Sequence, residues 1–169
     1  MSDDVQRGLV ALASEVGALL LANGQRLATA ESCTGGWVSQ CLTAIAGSSA
    51  WFERGFVTYS NAAKHELLAV SSDTLAMHGA VSEATAAAMA QGALQNSHAD
   101  WSLAISGIAG PGGGSPGRPV GTVCFAWAAS DGRLIADTQH FSGDRQAVRA
   151  QAVAHALKKL FQHAAMFSA

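Results

Sequence analysis

Cysteine and charge are scarce in this chain, and basic runs are absent. Three cysteines (Cys33, Cys41 and Cys124) are spread over 169 residues. An odd number without metal-ligand spacing gives neither a disulfide framework nor a zinc motif, so a reduced, cytoplasmic protein is expected. Charged side chains make up only 13% of the sequence, and ten Lys+Arg against twelve Asp+Glu leave a formal net charge of −2. With no basic run, the chain lacks the electrostatic footprint of a nucleic-acid binder. The longest apolar stretches are interrupted by Gly, Ser or His, and no membrane-spanning segment is expected. The first residues, MSDDVQRG, are acidic and polar, which is not the pattern of a signal peptide.

What the chain has instead is apolar surface. Hydrophobic residues make up 49%, and the length suits one domain with a proper core. So much apolar area predicts a buried central sheet and a subunit interface, hence a homo-oligomer. No internal repeat and no interdomain linker is visible.

Periodicity organises the rest. Val5, Leu9, Leu12, Val16, Leu19 and Leu20 recur at helical spacing before Asn23-Gly24 stops the helix. A short strand follows over about 26–32, then a helix opened by Thr34-Gly35-Gly36 and running to about Ala46. Gly47-Ser48-Ser49 reads as a turn and 51–59 as a strand. Ser60 caps a short helix that carries Lys64 in its first turn. Ser82 starts an alanine-rich helix to Gln95, and 101–106 is an apolar strand. A glycine-rich stretch, 107–117, precedes two strands, 120–129 and 134–141, paired about Asp131-Gly132. A last helix begins near Gly143-Asp144 with Ala150, Val153, Leu157, Leu160 and Phe161 on one face. The prediction is a single-domain α/β sandwich, residues 1–169, with a mixed central sheet flanked by helices.

The segment Ala30-Glu31-Ser32-Cys33-Thr34-Gly35-Gly36 stands where a strand hands over to a helix. Two glycines allow close approach of a ligand to the backbone, and a helix start offers unpaired N–H groups suited to an anion or an acyl-transfer oxyanion. Ser32 is then a candidate nucleophile. Ser32 or Thr34 serving only as an N-cap fits the same residues, and Cys33 reads as a small buried hydrophobe.

A serine nucleophile needs a base. His98, His155 and His163 fall in helices or at helix ends, His65 and His78 flank helix turns, and His140 ends a strand; none has a triad context. Lys64 is the better candidate. The positive end of a helix disfavours a cation, which lowers a lysine pKa, and more so if the site is desolvated. A neutral lysine can take a proton from a serine hydroxyl. Tyr59 lies just before this turn, where it could relay that proton or orient Ser32. An exposed helical lysine of no special role fits the same position.

These residues also carry a resemblance. The 30–36 string, then Gly47-Ser48-Ser49, Tyr59-Ser60-Asn61-x-x-Lys64, Gly79-Ala80-Val81-Ser82, Ser106-Gly107-Ile108-Ala109-Gly110-Pro111-Gly112-Gly113, Pro119-Val120-Gly121-Thr122-Val123 and Gly143-Asp144-Arg145-x-x-x-Arg149 follow in the order of the CinA C-terminal domain family. The chain resembles the family's stand-alone form, which lacks an N-terminal domain related to molybdopterin-binding proteins.

The resemblance implies hydrolysis of the carboxamide of nicotinamide mononucleotide (NMN) to nicotinate mononucleotide and ammonia, in pyridine nucleotide salvage. It implies a Ser–Lys arrangement with no metal and no cofactor, mapping onto Ser32 and Lys64, with Tyr59 at the same site. On that reading the oxyanion is held near Thr34, Gly35 and Gly36, with Ser48 or Ser49. The substrate phosphate is held by Ser106, Gly107, Gly110 and Arg145, although Arg145 could pair with Asp144 instead. Glu31 is expected to make a structural hydrogen bond behind the strand end. The competing readings are a catalytically silent nucleotide-binding module or partner protein for another enzyme, and a serine amidase acting on another pyridine or nucleotide amide.

Overall fold

The computed structural model describes residues 3–166. In chain order its elements are α1 (Asp3–Ala22), β1 (Leu27–Glu31), α2 (Trp37–Thr43), a 3₁₀ turn (Ser48–Ala50), β2 (Phe52–Val57), α3 (Asn61–Leu68), α4 (Ser72–His78), α5 (Glu83–Gln95), β3 (Trp101–Gly107), β4 (Thr122–Ala129), β5 (Leu134–His140) and α6 (Arg145–Ala165). The strands form one open sheet in the order β2-β1-β3-β4-β5. β2, β1 and β3 run parallel, whereas β4 and β5 are antiparallel additions joined by the Asp131-Gly132 hairpin. The expected mixed α/β sandwich is the architecture observed.

Strand alternation divides the sheet into a large face and a small one. Leu27, Trp101, Leu103, Ile105, Val123, Phe125 and Trp127 point toward α1, α2 and α6. Ala28, Ala30, Ala104, Cys124, Ala126 and Ala128 point the other way, toward α5. Each large side chain removed from water contributes about 1.5–3 kcal/mol, so the first face supplies most of the hydrophobic stabilisation. The second face sets distance instead. An alanine-rich α5 lies close on an alanine-rich sheet, and a Cβ added at Gly92 would stand 1.9 Å from the Leu68 carbonyl oxygen at the end of α3. Glycine is required there by the approach of two backbones.

Two features add to the expectations. α1 is 20 residues long with a mean hydropathy of 1.4 over its most apolar window, so by length and composition it could cross a membrane. A core helix passes the same test of length and composition. Its Leu9, Ala13, Val16 and Leu20 are buried in the same core as α6. Secondly, α4 was not expected. It carries no buried residue, so it leaves no apolar stripe for a periodicity to reveal.

Candidate active site

The parallel strands β1, β2 and β3 deliver their C-terminal ends to one edge of the sheet, the place where open α/β sheets bind ligands. Ser32 follows β1 directly, its N–H donating to the Ile105 carbonyl at 3.0 Å, while the Thr58 N–H donates to the Glu31 carbonyl at 2.8 Å. These bonds extend the ladder by one residue on each side and hold Ser32 firmly at the edge.

The turn after it is tight. The Gly35 N–H donates to the Ser32 carbonyl at 3.0 Å. Gly35 and Gly36 both take positive φ, +60° and +95°, a conformation that side-chain-bearing residues resist. Two consecutive left-handed residues postpone the helix, so α2 begins at Trp37 rather than at Thr34 as the Thr-Gly-Gly string predicted. Glu31 occupies the helix start instead. Its Oε2 accepts from the N–H groups of Gly36 (3.1 Å) and Val38 (3.0 Å), and its Oε1 from the N–H (2.9 Å) and hydroxyl (2.9 Å) of Ser39. A fully buried carboxylate thus satisfies most of the orphan donors of α2.

This settles which groups are left for a ligand. The Gly36 N–H is committed to Glu31 and the Gly35 N–H to Ser32. The N–H groups of Cys33 and Thr34 donate to no carbonyl among the described residues. Ser48 and Ser49 do not belong here. They lie in the 3₁₀ turn that precedes β2, where the Trp51 carbonyl accepts from the Leu27 N–H, at the opposite end of the strands. Sequence spacing could not show this, because the side on which a connection falls depends on strand direction.

Lys64 arrives from α3, which Ser60 caps by accepting from the Ala63 N–H at 3.0 Å. Its Nζ is 3.1 Å from Ser32 Oγ and donates to the Thr58 carbonyl at 3.0 Å. Only 1% of the residue is exposed, and burial pushes its pKa below the ordinary lysine value. No carboxylate forms an ion pair with it among the described residues. Lys64 is therefore not a solvated surface residue, and the Ser32 hydroxyl is not an N-cap, since its partner is Lys64. Cys33 is buried, and desolvation pushes its thiol up to about 11, leaving it almost wholly protonated at neutral pH and a poor nucleophile.

Ser32, Cys33 and Lys64 open on a cleft of about 200 Å³ walled also by Tyr59, Ser106 and Arg145. Tyr59 stands at the rim, 62% exposed. In the extended segment after β2 neighbouring side chains alternate, so Thr58 turns inward and Tyr59 outward. Its hydroxyl accepts from Arg145 at 3.0 Å and has no hydrogen bond to Ser32 or Lys64. Arg145 also donates to the Gly110 carbonyl at 2.7 Å. Asp144 is spent as the cap of α6, accepting from the Ala147 N–H at 2.8 Å, so the Asp144–Arg145 pairing does not form. The Ser106 hydroxyl donates to the Ala80 carbonyl at 2.7 Å, which ties it to the loop before α5. Gly107 closes β3 at the cleft floor. Of the six histidines, none touches Ser32; His155 instead pairs with Asp137 at 3.1 Å, between β5 and α6.

Arg149, which the sequence marks only as the end of the Gly143-Asp144-Arg145-x-x-x-Arg149 string, reaches this turn from α6. It donates to the Cys33 carbonyl through Nε (3.0 Å) and to the Thr34 carbonyl through Nη2 (2.9 Å).

A family model, the CinA C-terminal domain, matches residues 9–164. The chain belongs to the CinA C-terminal domain family. Within that family it is 58% identical over 154 residues to nicotinamide-nucleotide amidohydrolase PncC of Escherichia coli K12, covering 91% of this chain and 93% of that one. A CinA-like protein of Mycolicibacterium gilvum is 51% identical over 150 residues, which make up 35% of its length, so the family domain also occurs within longer chains. The solved competence damage-inducible protein A of Klebsiella pneumoniae superposes with a TM-score of 0.90 at 44% identity, covering 94% of this chain and 98% of that one.

Proposed function

We propose that this protein hydrolyses the carboxamide of nicotinamide mononucleotide, releasing ammonia and nicotinate mononucleotide, through a Ser32–Lys64 dyad. The observation that carries the chemistry is the buried Lys64 amine 3.1 Å from the Ser32 hydroxyl. The substrate assignment rests on the amidohydrolase relative, similar over nine-tenths of both chains.

Neutral Lys64 takes the Ser32 proton as Oγ attacks the carboxamide carbon. The tetrahedral oxyanion is received by the N–H groups of Cys33 and Thr34, the donors left uncommitted at the turn; one such donor is typically worth about 3–4 kcal/mol of barrier. The resulting Lys64 ammonium, held by the Thr58 carbonyl, protonates the departing nitrogen as the C–N bond breaks. Water then attacks the acyl-serine with Lys64 again as base, and the proton returns to Ser32. Tyr59 and Arg145 act on the far part of the substrate. Arg145 brings to the cleft a guanidinium with no carboxylate partner among the described residues, suited to a phosphate. The product feeds pyridine nucleotide salvage.

Ammonia release from NMN, nicotinamide riboside and free nicotinamide tests this reading. NMN is expected to be the best substrate, Ser32→Ala to lose at least about a thousandfold in kcat, and Cys33→Ala to stay within a few-fold of the parent. Tight NMN binding without turnover by folded protein would instead identify a nucleotide-binding module. Preference for free nicotinamide would remove the phosphate role of Arg145.

A further inference from the structure

We propose that Arg149 is a positioning residue that aims the oxyanion hole from behind. This rests on the Ser32 amidase reading and adds to it a residue that touches neither substrate nor nucleophile. The peptide unit is planar and trans, so a carbonyl and the following N–H point in opposite directions. Arg149 holds the Cys33 carbonyl at 3.0 Å, which turns the Thr34 N–H away from α6. It holds the Thr34 carbonyl at 2.9 Å, which turns the Gly35 N–H back onto the Ser32 carbonyl. One guanidinium fork therefore fixes two successive peptide planes, and the Thr34 N–H is left without a carbonyl acceptor among the described residues.

The position of Arg149 supports this use. It sits one helical turn from Arg145 on α6, and like charges at that spacing repel. It makes no ion pair among the described residues, and the Trp37 ring lies 5.3 Å from its Cζ. Its bonds go to carbonyl oxygens of the very segment that carries the nucleophile. The side chain also works at a distance, since a cation on the Cys33 carbonyl polarises the same peptide that carries the uncommitted Thr34 N–H. A lysine cannot span both carbonyls from one planar edge.

Arg149→Met and Arg149→Lys are tested against the parent by steady-state kinetics on NMN and by binding of an NMN analogue with a boronic acid in place of the carboxamide. Boron accepts the Ser32 oxygen, whose proton passes to Lys64, and the tetrahedral adduct presents its oxygen to the hole. Both variants are expected to lose about 100-fold in kcat with KM within threefold. Boronate affinity should fall by a similar factor while ground-state NMN affinity holds, and ethylguanidinium should restore part of the activity of Arg149→Ala. Equal kcat and boronate affinity in parent and variants would overturn the proposal. So would a proportionate loss of NMN and boronate binding with a lowered Tm, which is the mark of a scaffold residue. If the parent binds boronate but does not turn over NMN, the amidase assignment fails and the affinity difference still decides the role of Arg149. A parent that does neither overturns both.

Discussion

Replacing Glu31 by Gln exchanges one oxygen for an amide nitrogen at a group that accepts four hydrogen bonds. The favourable orientation puts the NH2 at the Oε1 position. There the Ser39 hydroxyl can reverse and accept, passing its own proton to Thr29 Oγ1 at 2.9 Å. The Ser39 N–H cannot reverse and loses its partner, while the bonds from Gly36 and Val38 persist but go to a neutral acceptor. Losing one bond to a charged group and weakening two gives roughly 3–5 kcal/mol. Removing a buried charge returns part of its desolvation penalty, leaving a net loss of about 2–4 kcal/mol. For a domain of this size that lowers Tm by about 5–12 °C. Thermal unfolding followed by far-UV circular dichroism, with urea titration as a second measure, reads it directly. A Tm shift below about 2 °C would refute the reasoning, because it would mean that the carboxylate is not what holds the start of α2.

Two further predictions address the base. Burial lowers the pKa of Lys64, so kcat/KM should rise with pH through a single proton loss centred below the ordinary lysine value of about 10.4; a midpoint at or above it would reject Lys64 as the base. The same shift bears on stability. A lysine whose folded pKa is depressed costs stability fully below that pKa, and the cost disappears as pH rises through the unfolded value. The Tm of Lys64→Met relative to the parent should therefore decline between neutral pH and pH about 10, and a difference independent of pH would contradict the burial argument. Gly92→Ala places a methyl 1.9 Å from the Leu68 carbonyl, forcing α3 away from α5. A loss of about 2 kcal/mol or more in urea unfolding is expected, accompanied by reduced kcat; unchanged values for both would show that α3 has room.

Much of the site was legible because its signals are local. A strand ending in Ser-Cys-Thr-Gly-Gly and a serine-capped helix bearing Lys64 are both read from a few adjacent residues. That Ser32 and Lys64 meet was not legible from those residues, since it requires β1 and β2 to run parallel and finish at the same edge. The same ignorance of strand direction brought Ser48 and Ser49 to the wrong end. Tyr59 was aimed at Ser32 because its neighbour in sequence is near; alternation sends it to the rim. Glu31 was expected behind the strand end, but its four donors depend on Gly35 and Gly36 both adopting positive φ, which glycine permits without requiring. Arg149 carried no local sign of its role, because its partners are carbonyl oxygens more than a hundred residues earlier in the chain.

The close seating of α5 against α3 reaches beyond packing. Leu68 follows Lys64 by one turn on the same helix, so the depth to which the amine is inserted is gauged by a backbone contact at Gly92, not by any side chain around the reaction. A gauge made of main chain has no rotamers with which to adjust. The serine-to-lysine spacing thus inherits the stiffness of the whole small-faced half of the sandwich. Substitutions far from the cleft, wherever they thicken the layer between α5 and the sheet, should register first as lost proton transfer and only then as lost fold.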